Sequence, residues 1–567
     1  MSSPSLKVQL LQLNFIVGDL AGNCQKILDA HQEAKSKGID LLLFSELAIC
    51  GYPPEDLLLK KHFLAEINKK IEEIKAATLG AKTAILLGCP YLKKSTNPQF
   101  NSSELYNSAL LIEDGEVVAI ANKTCLPNYG VFDEYRYFKP APILTNIEFR
   151  GFRFVVLICE DIWSATNAFL LGDKVFDFII SINASPFVVH KSEQRLKVIR
   201  NFIKNLHKPV LYINQIGGQD SLVFDGSSFI SNKDGEVILK MKEFAEDSSI
   251  IVLSKKSDEE DELLGIEVID NSKLLTQSIK EEQIYNALIL GLRDYVHKSG
   301  FTKVLLGLSG GIDSAVVATI AIDALGPNNV KLFALPSKFN SQSSMDDAIE
   351  LANNLGIKLE VIKIEPIVTS INKSLEEQFV NTKIDSTEEN IQSRVRANIL
   401  MTLSNKFGHL LLSTGNKSEL AVGYATIYGD MCGAFNPLKD IYKTEVFALA
   451  KWRNKNIPAI TINQKLDIIP QNIITKAPTA ELRENQKDSD SLPEYDILDK
   501  ILYQLIEEEK SRDEIIKLGF EQALVDNITK LLFNSEYKRK QAVIGTKVSE
   551  KSFDKDRRYS LVNQFKQ

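Results

Sequence analysis

Cysteine is scarce in this chain of 567 residues. Six are present, Cys24, Cys50, Cys89, Cys125, Cys159 and Cys432, with no CxxC pair among them. That excludes a zinc ribbon and argues against a disulfide framework, so the thiols read as reduced. Basic charge is not in excess either. Against 67 Lys and Arg stand 74 Asp and Glu, a net charge of −7, which makes a poor nonspecific binder of nucleic acid. No uncharged apolar run approaches the roughly 18–20 residues of a membrane helix. The opening segment MSSPSLKVQLLQLNFIVGDL alternates in polarity and lacks a basic start and a small-residue cleavage site. It predicts a first strand rather than a signal peptide. The expectation is a cytoplasmic protein that binds neither nucleic acid nor membrane.

The remaining composition, 44% apolar and 25% charged, is that of a globular chain. The length exceeds what one core supports, which predicts two or more domains. In the first half, apolar runs at Val8–Leu13, Leu41–Phe44, Ala84–Leu87, Phe154–Ile158, Phe178–Ile182 and Val210–Ile213 predict strands. Asp114-Gly115 and Asp234-Gly235 predict hairpin turns, because Asp-Gly supplies the positive φ such turns require. Helical patterns at Asn23–Lys37 and Leu57–Ala77 complete an α/β layered domain. The charged run KKSDEEDE at Lys255–Glu262 predicts a surface linker. Beyond it, helices at Glu281–Lys298, Ser314–Leu325, Ser343–Leu355 and Asn390–Phe407 alternate with strands at Lys303–Leu308, Lys331–Leu335, Leu359–Ile364 and His409–Ser413. This is the rhythm of a doubly wound parallel sheet. Residues 484–495 are polar and predict an exposed loop.

The sharpest motif is GLSGGIDS, Gly307–Ser314, following an apolar strand and opening a helix. Backbone N–H groups are unpaired at such a junction and the helix dipole favours an anion there. Gly310 and Gly311 allow close approach to a phosphate, Ser309 and Ser314 add hydroxyls, and Asp313 stands where it could hold Mg²⁺. The loop lacks the lysine of GxxxxGK[ST] and is no Walker loop. SGGxDS resembles the pyrophosphate loop of the N-type ATP pyrophosphatases. Downstream, ENIQSRVR (Glu389–Arg396), STGNKSE (Ser413–Glu419), DIYKTE (Asp440–Glu445) and YKRKQ (Tyr537–Gln541) resemble the NAD synthetases. The resemblance implies a Rossmann-like domain of the adenine nucleotide alpha hydrolase type, with ATP on Gly307, Leu308, Ser309, Gly310, Gly311, Ile312, Asp313, Ser314, Thr414 and Lys443. It implies deamido-NAD⁺ on Asn390, Arg394, Glu419 and Lys538. Mg²⁺ would come with ATP on Asp313 and Glu419, and Glu419 is open between metal and dinucleotide. No tightly bound organic cofactor is implied.

In the first half, Cys159 ends an apolar strand in VVLICEDIW. A free thiol is only a few per cent ionised at neutral pH and needs a base. None of the six histidines has a comparable strand-end position. Glu46, ending LLLFSE, and Lys123, closing the hairpin strand, do. Three strand ends could therefore deliver three polar groups to one pocket. This Glu–Lys–Cys set resembles the nitrilase superfamily, and the surrounding sequence its glutaminase branch. The resemblance implies a nitrilase-like α-β-β-α sandwich in which Glu46 is the base, Cys159 the nucleophile and Lys123 an oxyanion donor, assisted by Glu134. Tyr129, Ser185 and Lys191 would meet glutamine. The implied domains are 1–255 (glutamine amidase), 256–275 (linker) and 276–567 (synthetase). Together they imply ATP-dependent amidation of deamido-NAD⁺ with ammonia from glutamine, in a homo-oligomer. Another carboxylate acceptor, or an inactive dinucleotide-binding scaffold, are the alternatives.

Overall fold

The computed structural model describes residues 4–94, 103–258, 261–269, 278–479, 481–483, 486, 488 and 492–565. The chain divides into two compact units, 1–219 with 223–277, and 278–567 with 220–222.

The N-terminal unit is built on two large sheets, beside a two-stranded one formed by Ile216–Gln219 and Leu222–Asp225. One has seven strands, in the order Asp261–Val268, Asp247–Asp258, Ser5–Gln12, Leu41–Leu43, Ala84–Lys94, Ser103–Glu113, Glu116–Asn122. The other has six, in the order Val237–Lys240, Phe229–Ser231, Val210–Asn214, Phe178–Asn183, Phe152–Ile158, Asn146–Phe149. Alternation within single strands shows how they stack. Phe154, Val156 and Ile158 join Leu6, Val8 and Leu43 in one buried core between the sheets. Val155 and Leu157 instead pack with Ile199 and Phe202 of the outer helix Lys191–Ile203. Strands covered on both faces read as unbroken apolar runs, and each buried Val, Leu or Phe contributes about 1.5–3 kcal/mol. Helix Lys61–Thr78 lies on the seven-stranded sheet with Leu20–Ser36 packed beside it, giving the α-β-β-α sandwich.

The Asp114-Gly115 turn has φ of 47° and 79° and closes the antiparallel pair Ser103–Glu113 and Glu116–Asn122. The run Lys255–Glu262 is not a linker. Its residues through Asp258 end one strand, those from Asp261 begin the next, and the two pair antiparallel from Ile251↔Val268 to Asp258↔Asp261. Asp261–Val268 is an edge strand of the seven-stranded sheet, and edge strands are protected by charge.

In the C-terminal unit four strands, all parallel, are ordered Leu359–Val361, Val330–Ala334, Val304–Gly307, Leu410–Leu411. Helix Ile312–Leu325 is buried along nearly its whole length. A second core joins Leu420, Leu498, Leu502, Val525 and Ile528 from helices Lys417–Val422, Tyr495–Ile506 and Gln522–Asn534. Of the predicted loop 484–495, residues 484, 485, 487 and 489–491 lie outside the described residues. Among the described residues no helix is long and apolar enough to cross a membrane.

Two candidate active sites

In the N-terminal unit the strand ends converge as their residue types suggest. Lys123, fully buried, donates to Glu46 Oε1 at 2.7 Å and to Glu134 Oε1 at 2.9 Å. Glu46 also accepts from Asn107 Nδ2 at 2.7 Å and from the Ala184 backbone N–H at 2.9 Å. Glu134, on the short turn Glu134–Arg136, accepts from the Tyr52 hydroxyl at 2.9 Å. Gly88 makes room for this strand end, because a Cβ there would stand 2.3 Å from the Ser45 carbonyl oxygen.

Cys159 follows strand Phe152–Ile158 at φ 48°, a left-handed conformation that turns the chain sharply. Burial pushes its thiol well above the ordinary range; the charge of Glu46 pushes the same way and Lys123 opposes both. Burial thus favours the neutral thiol, and a nucleophile in this place would need a base beside it. Burial likewise raises Glu134 to about 7 against the pull of Lys123. Burial alone would lower the Lys123 ammonium, but Glu134 and Glu46 overcome it and hold it well above the ordinary range.

Tyr129 is exposed and donates to Glu160 Oε2 at 3.0 Å. Lys191 Nζ stands 4.5 Å from the centre of the Trp163 ring and pulls electrostatically on Glu160. Ser185 is buried, its hydroxyl 3.2 Å from Arg195 Nε, and Arg195 pairs with Asp225 at 2.8 Å. Sequence reasoning missed Asn107, Tyr52 and Glu160. The first was within reach, because the hairpin that pairs Ser108 with Asn122 puts Asn107 beside Lys123.

In the C-terminal unit Gly307–Ser314 links strand Val304–Gly307 to helix Ile312–Leu325. Gly310 has φ 79°, and a Cβ on it would stand 2.1 Å from the Ser344 carbonyl oxygen. Ser314 Oγ accepts from the Ser309 N–H at 3.2 Å, and Ser309 Oγ from the Gly311 N–H at 3.2 Å. No side chain caps the helix start at Gly311, so its first N–H groups face a cavity of about 530 Å³ lined by the whole loop.

Asn390, Thr414, Glu419, Lys443 and Lys538 also line that cavity. Arg394 does not. It is exposed, with Nε 3.3 Å from the Ile427 carbonyl oxygen, and Arg396 faces inward instead. Burial lowers the Arg396 guanidinium to about 10. Lys443 donates to Asp313 Oδ2 at 2.6 Å and Glu419 Oε1 at 3.1 Å, and Asn416 Nδ2 to Asp313 Oδ1 at 2.9 Å. Burial raises Glu419 to about 7, Lys443 counteracts, and Asp313 adds to the rise. Lys538 donates to the Gly423 and Ala425 carbonyl oxygens at 2.7 and 2.8 Å.

Among the described residues no group of three His, Cys, Asp or Glu is arranged to hold a metal ion. Two carboxylates already sharing one cation do fit Mg²⁺, which takes one or two carboxylates and draws further oxygens from phosphate and water.

The carbon-nitrogen hydrolase family pattern matches residues 7–257 and the NAD synthase pattern residues 284–542. Across its whole length the chain is 42% identical to the glutamine-dependent NAD(+) synthetase of Acinetobacter baylyi, covering 99% of this chain and 98% of the relative. The chain belongs to the glutamine-dependent NAD(+) synthetases. The Thermotoga maritima member is 41% identical, with 99% of each chain covered. A solved member from Acinetobacter baumannii, in complex with ADP, superposes with a TM-score of 0.76 at 40% identity, 99% of each chain covered. A glutamine-dependent NAD(+) synthetase from Cytophaga hutchinsonii shares the fold at 21% identity, TM-score 0.80, over 99% of this chain and 98% of its own. As in the family's two patterns, each set of residues described above lies in its own unit: the Glu–Lys–Cys set in the hydrolase part, the glycine loop in the synthase part.

Proposed function

We propose that this chain converts deamido-NAD⁺ to NAD⁺ with ATP and glutamine, releasing AMP, pyrophosphate and glutamate. What carries the reading is the buried Glu46–Lys123–Glu134 array set electrostatically against the Cys159 thiol, in a chain that also holds the SGGxDS loop on a nucleotide-sized cavity.

Glu46 takes the thiol proton as Cys159 Sγ attacks the side-chain carbonyl of glutamine. Lys123 stabilises the oxyanion, and the proton passes to the departing nitrogen, which leaves as ammonia. Water then hydrolyses the thioester to glutamate, with Glu46 again the base. Glu134 fixes Lys123 from its other side. Tyr129, Ser185 and Lys191 hold the amino-acid end of glutamine, the lysine through its carboxylate.

In the other unit the Gly307–Ser314 loop and Thr414 take the phosphates of ATP, with Lys443 in reach of them. Asn390, Glu419 and Lys538 take deamido-NAD⁺. The nicotinate carboxylate attacks the α-phosphorus, pyrophosphate leaves, and ammonia displaces AMP from the acyl-adenylate. Mg²⁺, held by Asp313 and Glu419, would neutralise phosphate charge. Neutral ammonia is retained best by an internal passage, since ammonium in water is no nucleophile. Loops at Ile427–Phe435 and Asn485–Leu492 shield the acyl-adenylate from water; part of the second lies outside the described residues. The enzyme works in the cytoplasm as a homo-oligomer.

The test is purified chain given ATP, Mg²⁺, deamido-NAD⁺ and glutamine labelled with ¹⁵N in its side chain. Label is expected in the carboxamide of NAD⁺. In Cys159→Ala glutamine use disappears while added ammonium still supports synthesis. Unlabelled product, or no NAD⁺ from either nitrogen source, overturns the reading.

A further inference from the structure

Cys159 poses a mechanical problem. Its φ of 48° is one a cysteine rarely adopts, and such strain persists only where surrounding bonds over-determine it. The residues that supply those bonds converge on a single side chain. Asp161, 1% exposed, lies in the short turn Cys159–Trp163. Its Oδ2 accepts from the backbone N–H of Ile158 at 3.0 Å, closing the turn around the nucleophile. Its Oδ1 accepts from the Thr124 N–H at 2.9 Å, the Thr124 hydroxyl at 2.7 Å and the Cys125 N–H at 2.7 Å. Asn167 Nδ2 reinforces the junction, donating to the Thr124 hydroxyl and the Asp161 carbonyl oxygen, each at 3.0 Å.

The two oxygens thus grip different parts of the site. One holds the residue preceding the nucleophile, the other the two residues following Lys123. These segments come from different sheets: Ile158 ends a strand of the six-stranded sheet, and Lys123 follows the edge strand Glu116–Asn122 of the seven-stranded one. Nothing in one sheet's own hydrogen bonding fixes its ends against the other's. We infer that Asp161 is the positioning residue that fixes Cys159 relative to Lys123, so that the oxyanion donor stands where the attacked carbonyl oxygen will lie. The inference rests on the glutaminase reading proposed above.

A carboxylate is the group this task requires. Ionised, it accepts on both oxygens and donates nothing, which matches four donors arriving from two sides. An amide of the same shape must turn its NH₂ toward one side and face a donor with a donor. Asp161→Asn therefore keeps the volume and breaks one grip. Thr124→Val is the gentler variant: it removes the hydroxyl that donates to Asp161 and accepts from Asn167, and leaves the backbone bonds.

The experiment measures glutamine hydrolysis, ammonium-dependent NAD⁺ synthesis, and alkylation of Cys159 by chloroacetamide in both variants and the parent. A misplacement of about 1 Å costs up to about 100-fold, so Asp161→Asn is expected to lower the kcat for glutamine by roughly 10–100-fold. Loss of the hydroxyl's bond to Asp161, about 1 kcal/mol, predicts a fall of at least roughly 5-fold in Thr124→Val, since the bond from Asn167 goes with it. In both, KM for glutamine stays within about threefold, ammonium-dependent synthesis within about twofold, and alkylation slows. A cap with a merely structural role would lower the melting temperature and spare this kcat-against-KM split. Unchanged kcat in both variants overturns the inference, as does a rise confined to KM. Should Asp161→Asn fail to fold, Thr124→Val decides by the same criteria. A parent enzyme that does not hydrolyse glutamine refutes the glutaminase reading itself, whatever the variants do.

Discussion

Lys123→Met removes the one positive charge from between two buried carboxylates. In the parent, the ammonium bonds Glu46 at 2.7 Å and Glu134 at 2.9 Å, and neither it nor Glu46 has any exposed surface. Breaking a buried pair by deleting one partner costs about 3–5 kcal/mol, because the other charge stays buried and unmatched. At about 2–4 °C per kcal/mol for a unit of this size, the melting temperature should fall by roughly 6–20 °C. The loss should depend on pH, and its sign follows from the carboxyl groups left behind. Without the pull of the lysine, burial and the charge of Glu46 hold the native pKa of Glu134 further above its unfolded value. The native state then binds more protons than the unfolded state in the window between those values, and stability falls as pH rises through it. The deficit relative to the parent should accordingly be larger at about pH 8 than at about pH 5.5. Glutaminase turnover should drop by about 10²–10³ from the lost oxyanion donor, while ammonium-dependent synthesis at a temperature below the melt persists. Scanning calorimetry across pH and a glutamate-release assay measure both parts. A variant that melts with the parent at every pH, or that hydrolyses glutamine at the parental rate, would refute the reasoning.

Glu134→Gln should flatten part of the parent's own pH dependence. Burial raises Glu134 to about 7, so in the parent this group's contribution to stability falls as pH climbs from the ordinary carboxylate value, about 4.3, through that point; melting curves over this window check it, and parallel curves for the two proteins would count against it. Gly310→Ala places a Cβ 2.1 Å from the Ser344 carbonyl oxygen at φ 79°. Strain of about 1–3 kcal/mol predicts roughly 5–150-fold weaker use of ATP, seen in the KM for ATP, with glutamine hydrolysis unchanged.

The parts of the fold that could be read directly were those whose periodicity reports burial. Runs such as Phe154–Ile158 are apolar throughout because both faces are covered, by the second sheet and by helix Lys191–Ile203. The pair Asp247–Asp258 and Asp261–Val268 escaped because the charged run Lys255–Glu262, which it shares, reads like a linker. The candidate residues at strand ends stood out for a related reason: a polar side chain closing an apolar run has no core to join. Asn107 lies within a strand and is revealed only by register. On helix Ser386–Phe407, residues 386, 389, 390, 393, 396, 397 and 400 face the cavity. At about 100° per residue Arg394 turns away from Ser393, and nothing in ENIQSRVR marks which arginine points inward.

Both sites are built around a buried lysine between two carboxylates, and in both one glutamate is raised to about 7. Each trio, fully ionised, carries one negative charge too many for a buried place. The two sites differ in how that excess can be met. Around Lys123 all three side chains are almost wholly enclosed, and Tyr52, Asn107 and the Ala184 N–H also donate to the carboxylates. There the excess is met by a proton, and burial raises Glu134 to about 7 accordingly. Around Lys443, Asp313 and Glu419 line an open cavity, and the excess can be met by a cation arriving with its ligand. Local enclosure, more than residue type, makes the first trio suited to proton transfer and the second to a charged nucleotide.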